Sequence, residues 1–383
     1  MRGMVCGMNA DNNRILSLDV FRGITIAAMI IVNNMGDWSH VYEPLRHSRW
    51  HGLSAADCIF PFFLFIMGVA IPVSFSGYTR SVDAGRVLLM KIIRRSLILF
   101  ALGFLLNLVP RFSFSDVRIP GVLQRIAVCY FAASILYTHT RTHRWMLPVV
   151  ACGCIVLHWL LLACVPVPGF GAGDLSPAGN LSRYIDLAVF GGHTYAHAIV
   201  RGMDPEGILG TISAIATTLF GVIAGGMLTA QWTSEKKARE MFLFSGFLVA
   251  AGYVMSNWLP LNKSLWTGSY AAFTAGIAAF FLLFLYRMVD LKGRRLWAGP
   301  FRVLGVNAIT VYVASTFIAK LMVGFTFSSD EGQTVSIKSY LYTHGFALWL
   351  DPHMASFMYA FAYLCVWTAM LYVLFRKKIF IRI

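Results

Sequence analysis

The sequence predicts an all-α polytopic membrane protein, one domain over residues 1–383, with about ten transmembrane helices and both termini cytoplasmic. The first observation is composition, since 58% of the residues are apolar and the mean hydropathy is +0.67. The second is charge, because only 13% of the residues are charged, whereas soluble domains carry about a quarter. The third is that apolar stretches near the ~20 residues needed to cross a bilayer recur along the chain.

The first apolar stretch is interpreted as a retained span rather than a signal peptide. It contains Arg22, exceeds the apolar region of a usual signal and ends in Asn33-Asn34 instead of small residues. Residues 316–327 are also apolar and either extend the ninth span or form a short re-entrant segment. The ten predicted spans are 16–35, 57–76, 92–110, 121–138, 145–165, 206–229, 241–259, 266–287, 301–319 and 353–375.

Basic residues are distributed unequally between the two sides of these spans. Of the 32 lysines and arginines, 21 lie on the side of the N-terminus and nine on the opposite side, which makes the termini cytoplasmic by the positive-inside rule. Residues 1–14 are then a short cytoplasmic tail, and residues 166–205 form a long outward loop, ordered as a lid or surface segment. Topology also explains the net charge of +15, so the lipid bilayer is the expected partner and nucleic acid is not.

The seven cysteines form no recognisable motif. Cys152 and Cys154 lack the two-residue gap of a redox pair, and no histidines stand near them at zinc-ligand spacing. We therefore expect the cysteines to pack as small apolar residues, without a disulfide or a metal site.

The first span carries ionisable side chains, which are costly in a bilayer and usually functional. Asp19 and Arg22 are three residues apart and can pair on one helix face. Arg22 and Asn33 point within about 20° of the same direction, separated by roughly 16 Å along the helix axis. This helix face would present substrate with Arg22 deep in the membrane and with the Asn33 amide near the outer end. The alternative is that Asp19 and Arg22 merely neutralise each other.

The connector 36–56 places three histidines, His40, His47 and His51, between Asn33 and Asp57. Asn33 ends the first span and Asp57 begins the second, so both are expected at a similar depth. A histidine as base or nucleophile, a carboxylate that orients it and an amide that stabilises an oxyanion form an acyl-transfer set. Spacing alone does not decide which histidine takes part, and surface histidines without any role are common.

Polar residues near the outward ends of later spans are candidates for substrate binding. The stretch 117–125 has the pattern of a helix start with Pro120 at its first position, so its polar side chains either grip substrate or satisfy helix ends. Residues 204–207 have the same pattern with Asp204 as N-cap, although their acids would also bind an ammonium group. A tryptophan on a tight outward loop suits a sugar ring, but such tryptophans are usually belt residues. Asn307 is predicted in mid-span, where its amide needs a partner. The candidates are Arg118, Gln124, Arg125, Asp204, Glu206, Asn262, Lys263, Trp266 and Asn307.

A set of sequence motifs recurs in order along nearly the whole chain. They are SLDVFRG, IIVNN, LRHSRWHGL and ADCIFPFFLFIMG within residues 15–71, then VRIPGVLQR (117–125), DPEGILGTISAIATTLFGVIAGG (204–226), LNKSLWTGSY (261–270) and LGVNAITVYV (304–313). The combination, rather than any single motif, resembles the transmembrane N-acetyltransferases of the heparan-α-glucosaminide N-acetyltransferase type and their bacterial relatives.

The resemblance implies an enzyme that transfers acetyl from cytoplasmic acetyl-CoA, without a metal, to the amine of a glucosamine-type amino sugar on the outer face. In that family the catalytic histidine lies in a basic residue–His–x–x–Trp pattern, which selects His47 here. The asparagine that ends the first span is carried over as Asn33, with Asn34 left open. Inward basic pairs could meet the CoA phosphates, although topology explains them equally well. These residues are Arg94, Arg95, Arg294 and Arg295.

One departure from the family concerns the N-terminal region. The animal enzyme carries a sizeable domain before its first span, whereas about fifteen residues precede the first span here. We therefore do not expect specificity for a heparan-like polymer to carry over. Short loops favour a bacterial inner membrane, with the active-site loops facing the periplasm.

The sequence thus predicts an integral-membrane acyltransferase that uses His47, Asn33 and Asp57. One alternative is a transporter of an amino sugar or related solute, for which buried Arg22, Arg125 and Asn307 would be suitable. Against it, the chain shows no internal repeat of the kind found in many transporters. Another is an O-acyltransferase acting on a cell-envelope glycan. The identity of the acceptor, a ternary or ping-pong mechanism, and a homodimer are left open.

Overall fold

The computed structural model describes residues 15–76, 82–110, 112–140, 143–328 and 334–380, and it is helical apart from one short hairpin. The helices are α1 (Leu16–Asn33), α2 (Ala55–Phe75), α3 (Val82–Leu108), α4 (Val122–His139), α5 (Met146–Cys164), α6 (Leu181–Phe190), α7 (Ile208–Thr229), α8 (Ser234–Met255), α9 (Gly268–Leu285), α10 (Gly299–Val306), α11 (Ala308–Gly324), α12 (Ile337–Tyr342) and α13 (Pro352–Arg376). The hairpin pairs β1 (Thr326–Ser328) with β2 (Thr334–Ser336) in antiparallel register. The predicted helical class is confirmed for the described residues.

Seven of the described helices are long and apolar enough to cross a membrane, and the bent pair α10–α11 gives an eighth candidate. The seven are α1, α2, α5, α7, α8, α9 and α13. Helices α3 and α4 occupy the third and fourth predicted spans, but α3 contains Lys91, Arg94 and Arg95, and α4 contains Gln124 and Arg125. Ten spans and cytoplasmic termini therefore stay predictions. The predicted tail, residues 1–14, lies outside the described residues.

The ninth predicted span is broken. Helix α10, preceded by the turn Leu296–Ala298, meets α11 at an angle of 71°. Asn307 lies at this break, not in the middle of a continuous helix as the sequence predicted, and its side-chain amide donates to the carbonyl of Ile379 at 3.5 Å. Helix α11 continues to Gly324, so residues 316–324 belong to it.

The helix start predicted at Asp204 is wrong, and the one predicted at Pro120 is two residues early. Helix α4 begins at Val122 rather than at Pro120, and α7 begins at Ile208, so Asp204 is not its N-cap. The N-terminus of α7 is capped instead by Asp186, whose Oδ1 accepts from the Ile208 N–H at 3.0 Å. Asp186 lies in α6, within the loop 166–205, so this loop contains a helix that packs against the bundle.

Glycines let two helix pairs approach to backbone contact. Between α1 and α10, a Cβ added to Gly23 would lie 1.7 Å from the carbonyl oxygen of Phe301. Between α7 and α2, a Cβ added to Gly221 would lie 2.1 Å from the carbonyl oxygen of Phe65. Small residues at such crossings let membrane helices pack closely. In their most apolar windows α1, α2 and α7 are 67%, 61% and 72% buried, against 28% for α5, α8 and α13. The first three are therefore central helices, and the last three are peripheral.

The connector between α1 and α2 folds over one end of this bundle. Its Gly52 N–H donates to the Leu261 carbonyl at 2.8 Å, and the Trp50 indole N–H donates to the Leu175 carbonyl at 2.9 Å. Gly52 has φ +118°, a conformation that glycine adopts at little cost. These bonds fix the connector against the α8–α9 loop and the long loop 166–205.

Candidate active site

A cavity of about 350 Å³ lies at the end of the bundle where α1 ends and α2 begins. Helices α1, α2 and α11 form its walls, together with the connector and the loops before α4, α7 and α9. Six residues predicted from the sequence line it: Asn33, His47, Asp57, Arg118, Glu206 and Lys263. Their roles in substrate binding or catalysis stay predictions, but the structure places all six around one space.

Asp57 holds His47 in a fixed orientation. His47 Nδ1 lies 2.8 Å from Asp57 Oδ1, and the Asp57 side chain is 1% exposed while that of His47 is 42% exposed. The tautomer with hydrogen on Nδ1 donates to the carboxylate and leaves the Nε2 lone pair available. This is the arrangement that a histidine needs to act as a base or nucleophile at Nε2.

The other oxygen of Asp57 is equally well bonded. Oδ2 accepts from the N–H groups of Ser48 and Ser54, each at 3.1 Å, and from the Ser54 hydroxyl at 2.9 Å. Ser54 and Asp57 form a capping box at the start of α2. In addition, the Tyr270 hydroxyl donates to the Asp57 carbonyl at 2.7 Å. The carboxylate is thus positioned by the helix start itself.

Lys263 completes this group of charged side chains. Its Nζ lies 3.5 Å from Asp57 Oδ1, and 3.1 and 3.4 Å from Nδ1 and Nε2 of His47. Burial lowers the pKa of Lys263, although the carboxylates of Asp57 and Glu206 act in the opposite direction. The cavity therefore contains a primary amine next to the His47 ring.

Two asparagines end α1, and they differ in their contacts. Asn33 is exposed and lines the cavity. The Asn34 side-chain amide instead donates back to the Ile30 carbonyl at 2.7 Å. Of the two amides, that of Asn33 is the one placed on the cavity wall.

Arg118 and Glu206 also line the cavity, and Asp204 supports Arg118 from behind. Arg118 donates from Nε to Asp204 at 2.8 Å and from Nη2 to both Asp204 and Glu206, and its guanidinium lies 4.6 Å from the centre of the Tyr195 ring. Burial disfavours the charge of Arg118, yet both carboxylates raise its pKa above the usual value. Burial likewise disfavours the Glu206 anion, but Arg118 and Arg125 hold the pKa of Glu206 below its usual range. Both groups are therefore charged at neutral pH.

Other predicted residues lie behind the cavity. Asp204 supports Arg118 and does not line the cavity, and Arg125 donates to the Gly207 carbonyl at 2.9 Å. Gln124 donates to the Ile119 carbonyl at 3.1 Å, and Asn262 accepts from the Leu265 N–H at 2.8 Å.

Trp266, predicted to bind substrate from a tight outward loop, does not line the cavity. It is fully buried, and its indole N–H donates to the Thr217 hydroxyl at 3.1 Å. Its ring packs edge-on against Phe60 and Tyr270. The side chain therefore packs behind Phe60, which lines the cavity.

A second cavity of about 380 Å³ lies at the other end of α1 and α2. Arg22, Asp19, Arg95 and Tyr130 line it, and the predicted Asp19–Arg22 pair is confirmed at 3.4 Å. Arg22 is thus placed in a different cavity from His47. Asn307 lies beside this second cavity, next to lining residues on either side. Arg94, Arg294 and Arg295 are exposed and line neither of the two cavities.

The two cavities are stacked along the same helices. On α2 the last residue of the first cavity, Phe60, and the first of the second, Phe63, are three positions apart. On α4 Val122 and Ile126 are four positions apart, which is about one helical turn or 6 Å. On α1 the gap is wider, because Arg22 and Met29 are seven positions or about 10 Å apart, so a layer about one to two turns thick separates the two cavities.

Sequence reasoning missed several residues of the site. Ser48 and Tyr195 were not predicted, although both line the cavity, and Tyr312 of α11 was missed as well. The pattern Ser54-x-x-Asp57 is a capping-box signal that would have indicated how the carboxylate is held. Tyr312 lies within the motif 304–313, which could have pointed to it, whereas nothing in the local sequence of Tyr195 signals its position. Among the described residues no three His, Cys, Asp or Glu side chains are grouped so as to hold a metal ion.

Comparison with known proteins places this geometry in context. Residues 14–182 match a family described as heparan-alpha-glucosaminide N-acetyltransferase, catalytic. The human heparan-alpha-glucosaminide N-acetyltransferase is 33% identical over 97% of this chain and 60% of its own length, and the mouse protein is 31% identical over 97% and 61%. This chain thus spans about 60% of the length of these curated relatives. Together the matches confirm that the chain resembles the heparan-α-glucosaminide N-acetyltransferase family along nearly all of its sequence.

Proposed function

We propose that the protein is a membrane acetyltransferase that moves acetyl from acetyl-CoA to the amine of a glucosamine-type amino sugar. The observation that carries this proposal is the His47–Asp57 pair, because both residues line one cavity together with Asn33. The names of the human and mouse relatives support a glucosamine-type acceptor. A bacterial inner membrane, with this cavity on the periplasmic side, is the location that we propose with it.

In this reaction His47 acts on the proton of the acceptor amine. The amine nitrogen attacks the thioester carbonyl, Nε2 takes its proton, and Asp57 stabilises the resulting imidazolium. In this proposal the Asn33 amide, from the wall of the same cavity, donates to the developing oxyanion. In the ping-pong variant, Nε2 first accepts the acetyl group itself and the amine attacks second. In both variants the CoA thiolate leaves and acquires a proton.

The stacked cavities support entry of the donor and the acceptor from opposite ends. The second cavity contains the cations Arg22 and Arg95, which suit a donor that carries phosphates. From there the acyl arm of the donor would cross a layer about one to two helical turns thick to reach His47. The acceptor cavity contains the carboxylate of Glu206, which suits an ammonium group.

The test measures acetyl transfer from acetyl-CoA to glucosamine by the purified protein, with products identified by mass spectrometry. We expect His47→Ala to lower turnover by about 10²-fold or more. His40→Ala is the matched control, because His40 pairs with Asp37 at 2.7 Å in the same connector but does not line the cavity. Turnover of His47→Ala equal to that of His40→Ala would contradict the proposal.

The stacked cavities also favour a second candidate, a transporter of an amino sugar. A transporter would take up labelled glucosamine into vesicles that lack acetyl-CoA, whereas the acetyltransferase would not. Mass spectrometry of the product also separates the N-acetyl from an O-acetyl compound, and an O-acetyl product would favour action on a glycan hydroxyl.

A further inference from the structure

Lys263 occupies the place in the cavity where an acceptor amine would meet His47. Its Nζ is 3.4 Å from His47 Nε2, the atom proposed as the base, and 3.1 Å from Nδ1 of the same ring. Nζ is also a primary amine, the functional group that the proposed reaction acetylates. The side chain is 22% exposed, so it faces the cavity without being free in solvent.

The backbone around Lys263 is held in place by a network of hydrogen bonds. The Asn262 side chain accepts from the Leu265 N–H at 2.8 Å, and the Asn262 N–H donates to the Thr267 hydroxyl at 3.1 Å. The same hydroxyl donates to the Pro260 carbonyl at 2.9 Å. The backbone of Lys263 is therefore held in place, and Asp57 Oδ1, 3.5 Å from Nζ, holds the amine beside His47.

We infer that Lys263 is a self-acetylation site: when acetyl-CoA is bound and no acceptor is present, the enzyme acetylates its own Lys263 amine. This inference rests on the proposed function and concerns the same cavity. A bound amino sugar would place its amine in competition with Lys263 for the same base and the same acetyl group.

The chemistry is the proposed reaction with a different nucleophile. Neutral Nζ attacks the thioester carbonyl carbon, the new C–N bond forms, and the C–S bond breaks. His47 Nε2 takes the proton from nitrogen, and the CoA thiolate is finally protonated to the free thiol. The products are Nε-acetyl-lysine and CoA, and no further reactant is required.

Burial favours the reactive form of this amine. The ammonium form of Lys263 must lose a proton before it can attack, and burial lowers its pKa despite the nearby carboxylates. Acetylation then removes the positive charge beside Asp57 and adds an acetyl group to a cavity of about 350 Å³. We therefore expect the acetylated protein to bind acceptor poorly, and turnover to fall in proportion to the acetylated fraction.

The experiment uses the full-length purified protein and acetyl-CoA labelled with ¹³C in the acetyl group, first without acceptor. Peptide mass spectrometry follows treatment with hydroxylamine, which removes acetyl from histidine but not from a lysine amide. We expect the label on Lys263 to exceed that on the exposed Lys236 and Lys292 by about tenfold or more. Saturating glucosamine should lower the label on Lys263 and leave the other two unchanged.

Two variants serve as controls. His47→Ala should reduce the label on Lys263 to the level of Lys236, since the base is absent. Lys263→Arg should yield no labelled peptide from this loop. Equal labelling of Lys263 in wild type and His47→Ala would show simple chemical acetylation and would overturn the inference.

The outcome also separates this inference from the proposed function. If the protein acetylates glucosamine but Lys263 remains unlabelled, the inference is wrong and the proposed function stands. If neither glucosamine nor Lys263 is acetylated, the proposed function fails and the inference fails with it. Label on Lys263 that depends on His47 and is suppressed by glucosamine supports both.

Discussion

Replacing Asp57 by asparagine removes one charge and one acceptor from the centre of the proposed site. The wild-type carboxylate accepts from His47 on one oxygen, and from Ser48 and Ser54 on the other. An asparagine has only one acceptor oxygen, so its NH₂ group must face donors on one side or the other. Either His47 loses its orienting partner, or the start of α2 loses its cap.

The magnitude follows from the number of bonds affected. Hydrogen bonds to charged groups contribute about 1.5–3 kcal/mol each, so the loss of one to two bonds should lower the free energy of unfolding by about 2–5 kcal/mol. In addition, His47 would be released from the orientation that exposes Nε2. We expect turnover to fall by about 10²- to 10⁴-fold, the range typical of positioned acid–base groups.

The assay combines acetyl transfer to glucosamine with thermal unfolding in detergent. If the two residues act as a unit, the double variant His47→Ala/Asp57→Asn should be no less active than His47→Ala alone. Asp37→Asn is the matched control, because Asp37 Oδ2 pairs with His40 Nδ1 at 2.7 Å outside the cavity. An Asp57→Asn variant that turns over within about threefold of Asp37→Asn would refute this reasoning.

Three further predictions concern stability, each measured by unfolding in detergent. Arg118→Ala should lower the free energy of unfolding by about 3–5 kcal/mol, because it leaves buried carboxylates without their cation. The pKa of Glu206 is held low in the folded protein, so its ion pair with Arg118 stabilises the fold at neutral pH and is lost in acid. The difference in free energy of unfolding between wild type and this variant should therefore shrink as pH falls below about 4. Burial raises the pKa of Asp186 to about 7. The folded protein therefore loses stability as pH rises from about 4 to about 7, because the carboxyl ionises more readily in the unfolded chain. The free energy of unfolding of Asp186→Asn should rise relative to that of wild type across this range. Gly221→Ala should destabilise by about 1–3 kcal/mol or more, whereas Gly226→Ala, with open space at its Cβ position, should be nearly neutral.

Each of these predictions has a clear contrary result. A pH-independent deficit in Arg118→Ala would mean that the Glu206 charge does not contribute. Parallel pH profiles of wild type and Asp186→Asn would show that this carboxyl does not titrate in the stated range. Equal unfolding temperatures for the two glycine variants would contradict the close approach of α2 and α7.

The positions of the helices could be predicted because apolar runs report them directly. What a hydropathy average cannot report is a break inside a run, which is why the bend at Asn307 was missed. The helix start at Asp204 was wrong for another reason. Its carboxylate pairs with Arg118, 86 positions away, and Asp186 of another helix caps α7 in its place. A local sequence pattern cannot show that a distant residue will take over the capping role.

The candidate site was predictable to the extent that residues lie at helix ends or carry the family motif. Asn33, His47 and Asp57 are brought together because one connector joins the ends of α1 and α2. Trp266 was predicted on a tight outward loop, where its ring would suit a sugar or belong to the interfacial belt. Its backbone has φ +51°, and the indole instead points inward, where its N–H finds the Thr217 hydroxyl. The direction of a loop side chain depends on partners that the sequence does not identify.

A density map of the protein with acetyl-CoA bound tests the central claim most directly. The proposed function predicts the thioester in the cavity of His47, with its carbonyl carbon within about 4 Å of Nε2 and its oxygen near the Asn33 amide. It also predicts the phosphates of the donor near Arg22 and Arg95, at the other end of α1 and α2. Acetyl-CoA bound with its thioester away from His47, outside both cavities, would contradict the account.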